Sequence, residues 1–168
     1  MNEINIRVAS IHDIEDILFI YNEGIIDRIA TLETTTKDKA YMMEWFQRHT
    51  ERYKVIVAEV EGMTVGWASL NQYSSRSAYD GVADLSIYIK RNSRGKGVGG
   101  KLLSYIERLA KENEFHKIVL FTFPFNELGQ GLYKKRGFRE VGVFKNQGIL
   151  DGKYVDVMAM EKLIVLDT

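Results

Sequence analysis

The chain predicts an α/β fold built on one sheet of mixed strand direction, and three observations carry that prediction. Apolar residues recur with period 2 in some segments and at helical spacing in others, and the two kinds alternate along the chain. No linker, charge block or internal repeat divides the 168 residues, so a single domain over 1–168 is expected. The hydrophobic fraction of 45% is enough to bury a core, which excludes a disordered or fibrous chain.

Residues Ile4 to Val8 alternate as a strand. Ser10 followed by Asp13 then reads as a helix cap, ahead of an apolar face at Ile14, Ile17, Leu18, Tyr21 and Ile25. Thr36 is a second cap candidate, leading to a helix with Tyr41, Met42, Trp45 and Phe46. Lys54 to Val60 is β-branched enough for a buried strand, and Glu61-Gly62 turns it into Thr64 to Tyr73. Gly81 to Lys90 is a further strand. From Gly97 the period changes, with Leu102, Leu103, Ile106, Leu109 and Ala110 forming a helical stripe. Ile118 to Phe123 reads as a short buried strand, and Glu127 to Lys135 as a helix stopped at Gly137. Two strands finish the chain, Phe138 to Phe144 and Tyr154 to Leu163, with Asp151-Gly152 as the turn signal between them.

Composition narrows the chemistry. Lysine plus arginine number 23 and aspartate plus glutamate also 23, so no net field gathers nucleic acid or an acidic membrane, and neither is an expected partner. With no cysteine there is no thiol nucleophile, disulfide or thiolate metal site. The three histidines, His12, His49 and His116, lie far apart in sequence, so no metal is expected. No apolar run approaches the ~20 residues that cross a bilayer, and the N-terminus lacks a signal-peptide core; a cytoplasmic protein is expected.

The most informative segment is Arg94-Gly95-Lys96-Gly97-Val98-Gly99, between a strand and a helix start. Glycines let successive backbone N–H groups face one concavity with no Cβ in the way, and a helix N-terminus adds favourable partial charge. Such a loop suits a pyrophosphate, although a glycine-rich turn that only caps a helix has the same letters. A Walker loop is excluded because Gly97, not Ser or Thr, follows Lys96, and a dinucleotide fingerprint belongs after the first strand.

Arg94, Gly97 and Gly99 match the Arg/Gln-x-x-Gly-x-Gly/Ala coenzyme A loop of the GNAT N-acetyltransferases, which the chain resembles over nearly its whole length. The segments "IYNEGI" (Ile20 to Ile25), "ATLE" (Ala30 to Glu33), "RSAY" (Arg76 to Tyr79), "ADLSIYI" (Ala83 to Ile89), "GF" (Gly137, Phe138) and "DGKYVDV" (Asp151 to Val157) are similar to the phosphinothricin acetyltransferase branch. The resemblance implies the GNAT acyltransferase fold, a mixed and mostly antiparallel sheet of about seven strands flanked by four helices. It implies acetyl-CoA as cosubstrate and, for this branch, a homodimer.

The resemblance also implies roles for residues. The main chain of Ile87, Tyr88 and Ile89 would pair with the pantetheine arm, and the backbone amides of Arg94, Gly95, Lys96, Gly97, Val98 and Gly99 would bind the pyrophosphate. Asn126 matches an asparagine that contacts the coenzyme, and it is also placed to cap a helix. Asp84 aligns with a carboxylate that the branch usually carries as glutamate. As an acid in an otherwise apolar strand it is the candidate base, one methylene shorter, so that a water could relay the proton; a solvent-facing edge position is the alternative. Tyr133 is the candidate acid for the departing thiolate, where the branch more often has histidine; a packed core tyrosine is the plainer reading. Asn22, Glu33, Arg76 and Tyr79 fall in motifs lining the acceptor side, and Arg76 could hold a carboxylate or phosphinate; solvated loop residues are the alternative.

Acetyl transfer to the primary amine of a small, amino-acid-like substrate, by direct attack in a ternary complex, is therefore the expected activity. An acetyl-CoA-binding sensor without turnover, or a protein N-acetyltransferase, are the alternatives. Presence of both Asp84 and Tyr133 favours the enzyme.

Overall fold

A computed structural model describes residues 2–164. The elements are β1 (Ile4–Val8), α1 (Ile14–Asp27), α2 (Lys39–Arg48), β2 (Val55–Val60), β3 (Met63–Gln72), β4 (Val82–Ile89), α3 (Val98–Glu112), β5 (Lys117–Thr122), α4 (Glu127–Lys135), β6 (Arg139–Leu150) and β7 (Lys153–Leu163). The strands form one seven-stranded sheet in the order β1-β2-β3-β4-β5-β7-β6. β4 and β5 run parallel, and every other neighbouring pair is antiparallel.

The capping box before α1 forms as its letters predict: Ser10 accepts from the His12 N–H, and Asp13 accepts from the Ser10 N–H at 2.8 Å. Asp13 also takes Arg7 through both carboxylate oxygens, which pins α1 to β1. The second cap differs from expectation. Asp38, not Thr36, has the extended backbone and accepts from the Tyr41 N–H at 2.9 Å, so α2 starts at Lys39. The sixth strand is also longer than predicted, running to Leu150 through the polar segment Lys145-Asn146-Gln147-Gly148. Asp156 on β7 holds that stretch by accepting from the Asn146 N–H and from Lys145 Nζ, while a register shift between Phe144 and Gly148 absorbs the extra residues.

β2 and β3 are apolar on both faces because helices cover both. On one face, Ile56, Ala58, Ala68 and Leu70 meet the stripe of α3, with Leu102, Leu103 and Ile106 fully buried. On the other, Val55, Val57 and Trp67 meet Ile14, Ile17 and Ile20 of α1 and Met42 of α2. Alternation along β4 sends Ala83, Leu85, Ile87 and Ile89 to the α3 side, and therefore Asp84, Ser86 and Tyr88 to the α1–α2 side.

Candidate active site

β4 and β5 pair only over Val82–Asp84 and Lys117–Val119. Beyond Asp84 the strands part, and the β5-side backbone groups of residues 85–89 face an opening instead of a ladder. A cavity of about 150 Å³ fills this gap, with Asp84, Ser86, Tyr88, Thr122, Asn126 and Tyr133 among its walls. A second, of about 190 Å³, shares Ile87, Tyr88, Asn126 and Tyr133 and extends to Arg94, Gly95, Gly97 and Gly99. A third, of about 280 Å³, lies between Ala30, Thr31 and Leu32 of the α1–α2 connection and Phe121, Thr122, Phe123 and Val157. Ala30 borders all three.

The glycine loop ends at Gly97, whose φ of +88° is left-handed, as is the +74° of Gly95; no atom lies within 4 Å of where a Cβ would stand on either. α3 starts directly after, with no side-chain cap, so its first-turn N–H groups are open to an anion. Val98 is buried, so only its main chain can serve the loop, and Lys96 is exposed outside the cavity walls. The Arg94 side chain turns away: Nη1 lies 2.7 Å from Asp27 Oδ2, and Nε donates to the Ile89 carbonyl at 3.1 Å. Asp27 also takes Arg91 at 2.7 Å, and Glu23 accepts from the Arg91 N–H at 2.9 Å. A loop rich in glycine is thus fastened to the last turn of α1.

Asp84 is half-buried on a strand flanked by β3 and β5, so it is not at a sheet edge. Burial pushes its carboxyl up to about 6, opposed by a hydrogen bond from Asn71. Tyr133, 9% exposed, packs edge-on against Phe138 and also borders both cavities. Burial raises its phenol to about 12, so it keeps its proton at neutral pH. Asn126 caps α4, accepting from the Gly129 N–H at 3.1 Å, and borders the same two cavities. The structure therefore brings Asp84, Tyr133, Asn126, the Ile87–Ile89 segment and the glycine loop around one continuous opening.

The acceptor-side residues are placed differently. The Asn22 amide is committed to Lys37, donating to its carbonyl at 3.0 Å and accepting from its N–H at 2.9 Å, which closes the α1–α2 connection. Glu33 is exposed and pairs with Lys37 Nζ at 2.9 Å. Arg76 and Tyr79 are exposed before β4, with Tyr79 packed edge-on against Tyr73. None of the four borders the three cavities.

Sequence reading missed Asp27, Asn71, Ser86 and His49. Asp27 had a visible signal, since an acid in the last turn of a helix opposes the dipole and implies a cation partner. Ser69, Asn71 and Ser86 are polar interruptions of apolar strands, and only strand register reveals that Asn71 stands opposite Asp84. Among the described residues no cluster of three metal-ligating acidic, histidine or cysteine side chains occurs, and no helix is long and apolar enough to cross a membrane.

A mixed sheet parted beside a glycine loop, with an uncapped helix start facing the gap, is the architecture of an acyl-coenzyme A-dependent transferase. The chain belongs to the acetyltransferase (GNAT) family, whose pattern matches residues 14–138. It is 37% identical over 155 residues to YwnH of Bacillus subtilis (strain 168), which carries a provisional phosphinothricin acetyltransferase name, covering 92% of this chain and 95% of that protein. It is 29% identical over 159 residues to the L-methionine sulfoximine/L-methionine sulfone acetyltransferase of Pseudomonas aeruginosa (strain PAO1), covering 94% and 92%. Its fold is similar to the crystal structure of a phosphinothricin acetyltransferase from Sinorhizobium meliloti in complex with acetyl-CoA, with a TM-score of 0.91, 28% identity, and 96% and 88% of the two chains covered. The sequence resemblance to this family, the fold and the enzyme class are thereby established.

Proposed function

We propose that this chain, acting as one catalytic domain, moves the acetyl group of acetyl-CoA onto the primary amine of a small amino-acid-like molecule. The observation that carries the proposal is that Asp84 and Tyr133, a carboxyl raised to about 6 and a phenol raised to about 12, border one cavity at the parting of β4 and β5. Groups whose environments hold one ionised and the other protonated at neutral pH suit a base and an acid. The relatives named for methionine sulfoximine, methionine sulfone and phosphinothricin support an acceptor with an α-amino acid headgroup.

Bound acetyl-CoA supplies a thioester-activated acetyl group. The residues present fit it: the glycine loop and the first turn of α3 form a cradle that a Cβ would fill, and the free edge of Ile87–Ile89 offers main-chain partners to an extended arm. Asp84, ionised above about pH 6, takes a proton from the acceptor ammonium directly or through a water. A backbone N–H of Ile87–Ile89 meets the negative charge that develops on the acetyl oxygen. As the amine nitrogen bonds to the acetyl carbon and the carbon–sulfur bond breaks, Tyr133 would give its proton to the sulfur, the second proton of the acylated nitrogen would restore the Tyr133 phenol, and Asp84 would release the first to solvent. The acceptor side chain occupies the space by Ala30, Thr31 and Leu32, while Asn22, Glu33, Arg76 and Tyr79 stand outside its walls.

We further place the protein in the cytoplasm, where acetyl-CoA is available, as a homodimer. The exposed apolar residues Val141, Val143, Phe144, Ile149 and Tyr154 on β6 and β7, at one end of the sheet, support a pairing surface there. Incubation with acetyl-CoA and a panel of amino acids, including methionine sulfone and phosphinothricin, tests the activity. Free thiol above the hydrolysis background with an amino-acid-like amine is the expected result; coenzyme binding without thiol release from any amine would favour the sensor.

A further inference from the structure

Asp84 is approached from behind by a chain of hydrogen bonds that begins on α2. His49, the residue that ends α2, lies with Nδ1 2.8 Å from the Trp45 carbonyl and Nε2 2.7 Å from Asn71 Oδ1. Asn71 Oδ1 is an acceptor, so the tautomer with the proton on Nε2 is the one that serves it as a donor. Ser69 donates a second hydrogen bond to Asn71 Oδ1 at 2.9 Å. With its oxygen taken twice, the amide must present its NH₂ to the other side, where Nδ2 lies 2.9 Å from Ser86 Oγ and 3.4 Å from Asp84 Oδ2. Asn71 and Asp84 are direct cross-strand partners, so the pleat itself aims one side chain at the other.

We infer that Asn71 is the positioning residue for the Asp84 carboxylate, and that His49 and Ser69 lock its amide with the donor edge toward Asp84. The lock matters because an amide has two edges of opposite character. In the observed orientation a donor faces Asp84 and favours the ionised carboxylate that can accept a proton; turned over, the amide oxygen would face it and favour the protonated acid. The same bond keeps Asp84 turned toward β3 and sets where its second oxygen meets the cavity. The titratable groups around Asp84 are few among the described residues: Tyr88 on its own strand, Tyr133 from α4, and His49 from α2 through Asn71.

This inference rests on Asp84 being the base, and the test separates the two. With ¹³C-carboxyl-labelled aspartate, the Asp84 signal, assigned by its absence in Asp84→Asn, is titrated in coenzyme-free protein. Asn71→Leu removes the donor at similar volume, and the midpoint is expected to rise by on the order of one pH unit. His49→Phe keeps the ring against Trp45, 4.3 Å away, but frees the amide, and should raise the midpoint in the same direction. His49→Gln, which retains a donor near the Nε2 position, should restore it toward the wild-type value. The acidic limb of kcat/KM with methionine sulfone should move with the NMR midpoint while acetyl-CoA affinity stays unchanged. Equal midpoints in wild type, Asn71→Leu and His49→Phe overturn the inference. Midpoints that move while the rate profile stays fixed uphold the positioning by Asn71 and remove Asp84 as the base.

Discussion

Arg94 Nη1 and Asp27 Oδ2 are 2.7 Å apart, joining the glycine loop to the end of α1 across 67 residues of sequence. The arginine that opens the glycine motif is therefore an anchor for its loop. Hydrogen bonds from Arg91 and then Arg94 hold the Asp27 carboxyl below its usual range, against the cost of partial burial. Asp27→Ala is expected to destabilise the protein by about 1–3 kcal/mol, the usual cost of losing hydrogen bonds to a charged group. Because the folded value is lowered, the contribution is present above the unfolded value near ~4 and disappears as pH falls through the folded one. Urea unfolding of wild type and Asp27→Ala at pH 7 should differ, and the difference should shrink toward pH 3.

Gly97→Val places a β-branched residue at φ +88° and puts its side chain into the space at the start of α3. The strain is about 1–3 kcal/mol, which a fold of this size tolerates. Calorimetric affinity for acetyl-CoA should fall by about tenfold or more, in a variant whose circular dichroism remains that of the wild type.

Tyr133→Phe keeps the packing against Phe138 and removes only the hydroxyl. Coenzyme affinity should survive, and kcat should fall by roughly 10²–10⁴, the range for loss of an acid–base group. Single-turnover acetylation measures the drop without interference from product release.

Asp84 also sets a cost in stability. Its folded value near 6 lies above the unfolded value, so the carboxyl favours the folded state fully only while protonated, and that advantage fades as pH rises through about 6. Asp84→Asn should therefore raise the unfolding free energy at pH 8 by at most about 3 kcal/mol, seen as a higher Tm, and have little effect at pH 4. Differential scanning calorimetry at the two pH values reads this directly.

The elements whose apolar spacing is strong were legible before the structure: α4 starts and ends where its letters place it, and the stripe of α3 is the stripe that meets the sheet. The errors came from rules with two good answers. Thr36 and Asp38 are both sound caps, and only the extended backbone at Asp38 decides between them. The polar run Lys145–Gly148 reads as a loop because its partner, Asp156, is ten residues away on β7. At the site, the glycine loop and an acid in an apolar strand at Asp84 stand out in the letters, whereas Tyr133 reads as a core residue unless the family resemblance is added. Asn71 and His49 do not stand out, since their meaning depends on cross-strand register and on where α2 ends.

The measurement that bears most directly on the central claim is the pH dependence of kcat/KM for wild type and Asp84→Asn with the same acceptor amine. Wild type should rise through an apparent value near 6, where the Asp84 carboxyl ionises. Asp84→Asn should lose that limb, run roughly 10²–10⁴ slower at pH 7, and recover part of the loss at high pH, where the amine arrives already deprotonated. Asp84→Glu, with the longer side chain usual in the branch, should retain activity. An Asp84→Asn enzyme with the wild-type rate and profile at neutral pH would contradict the account.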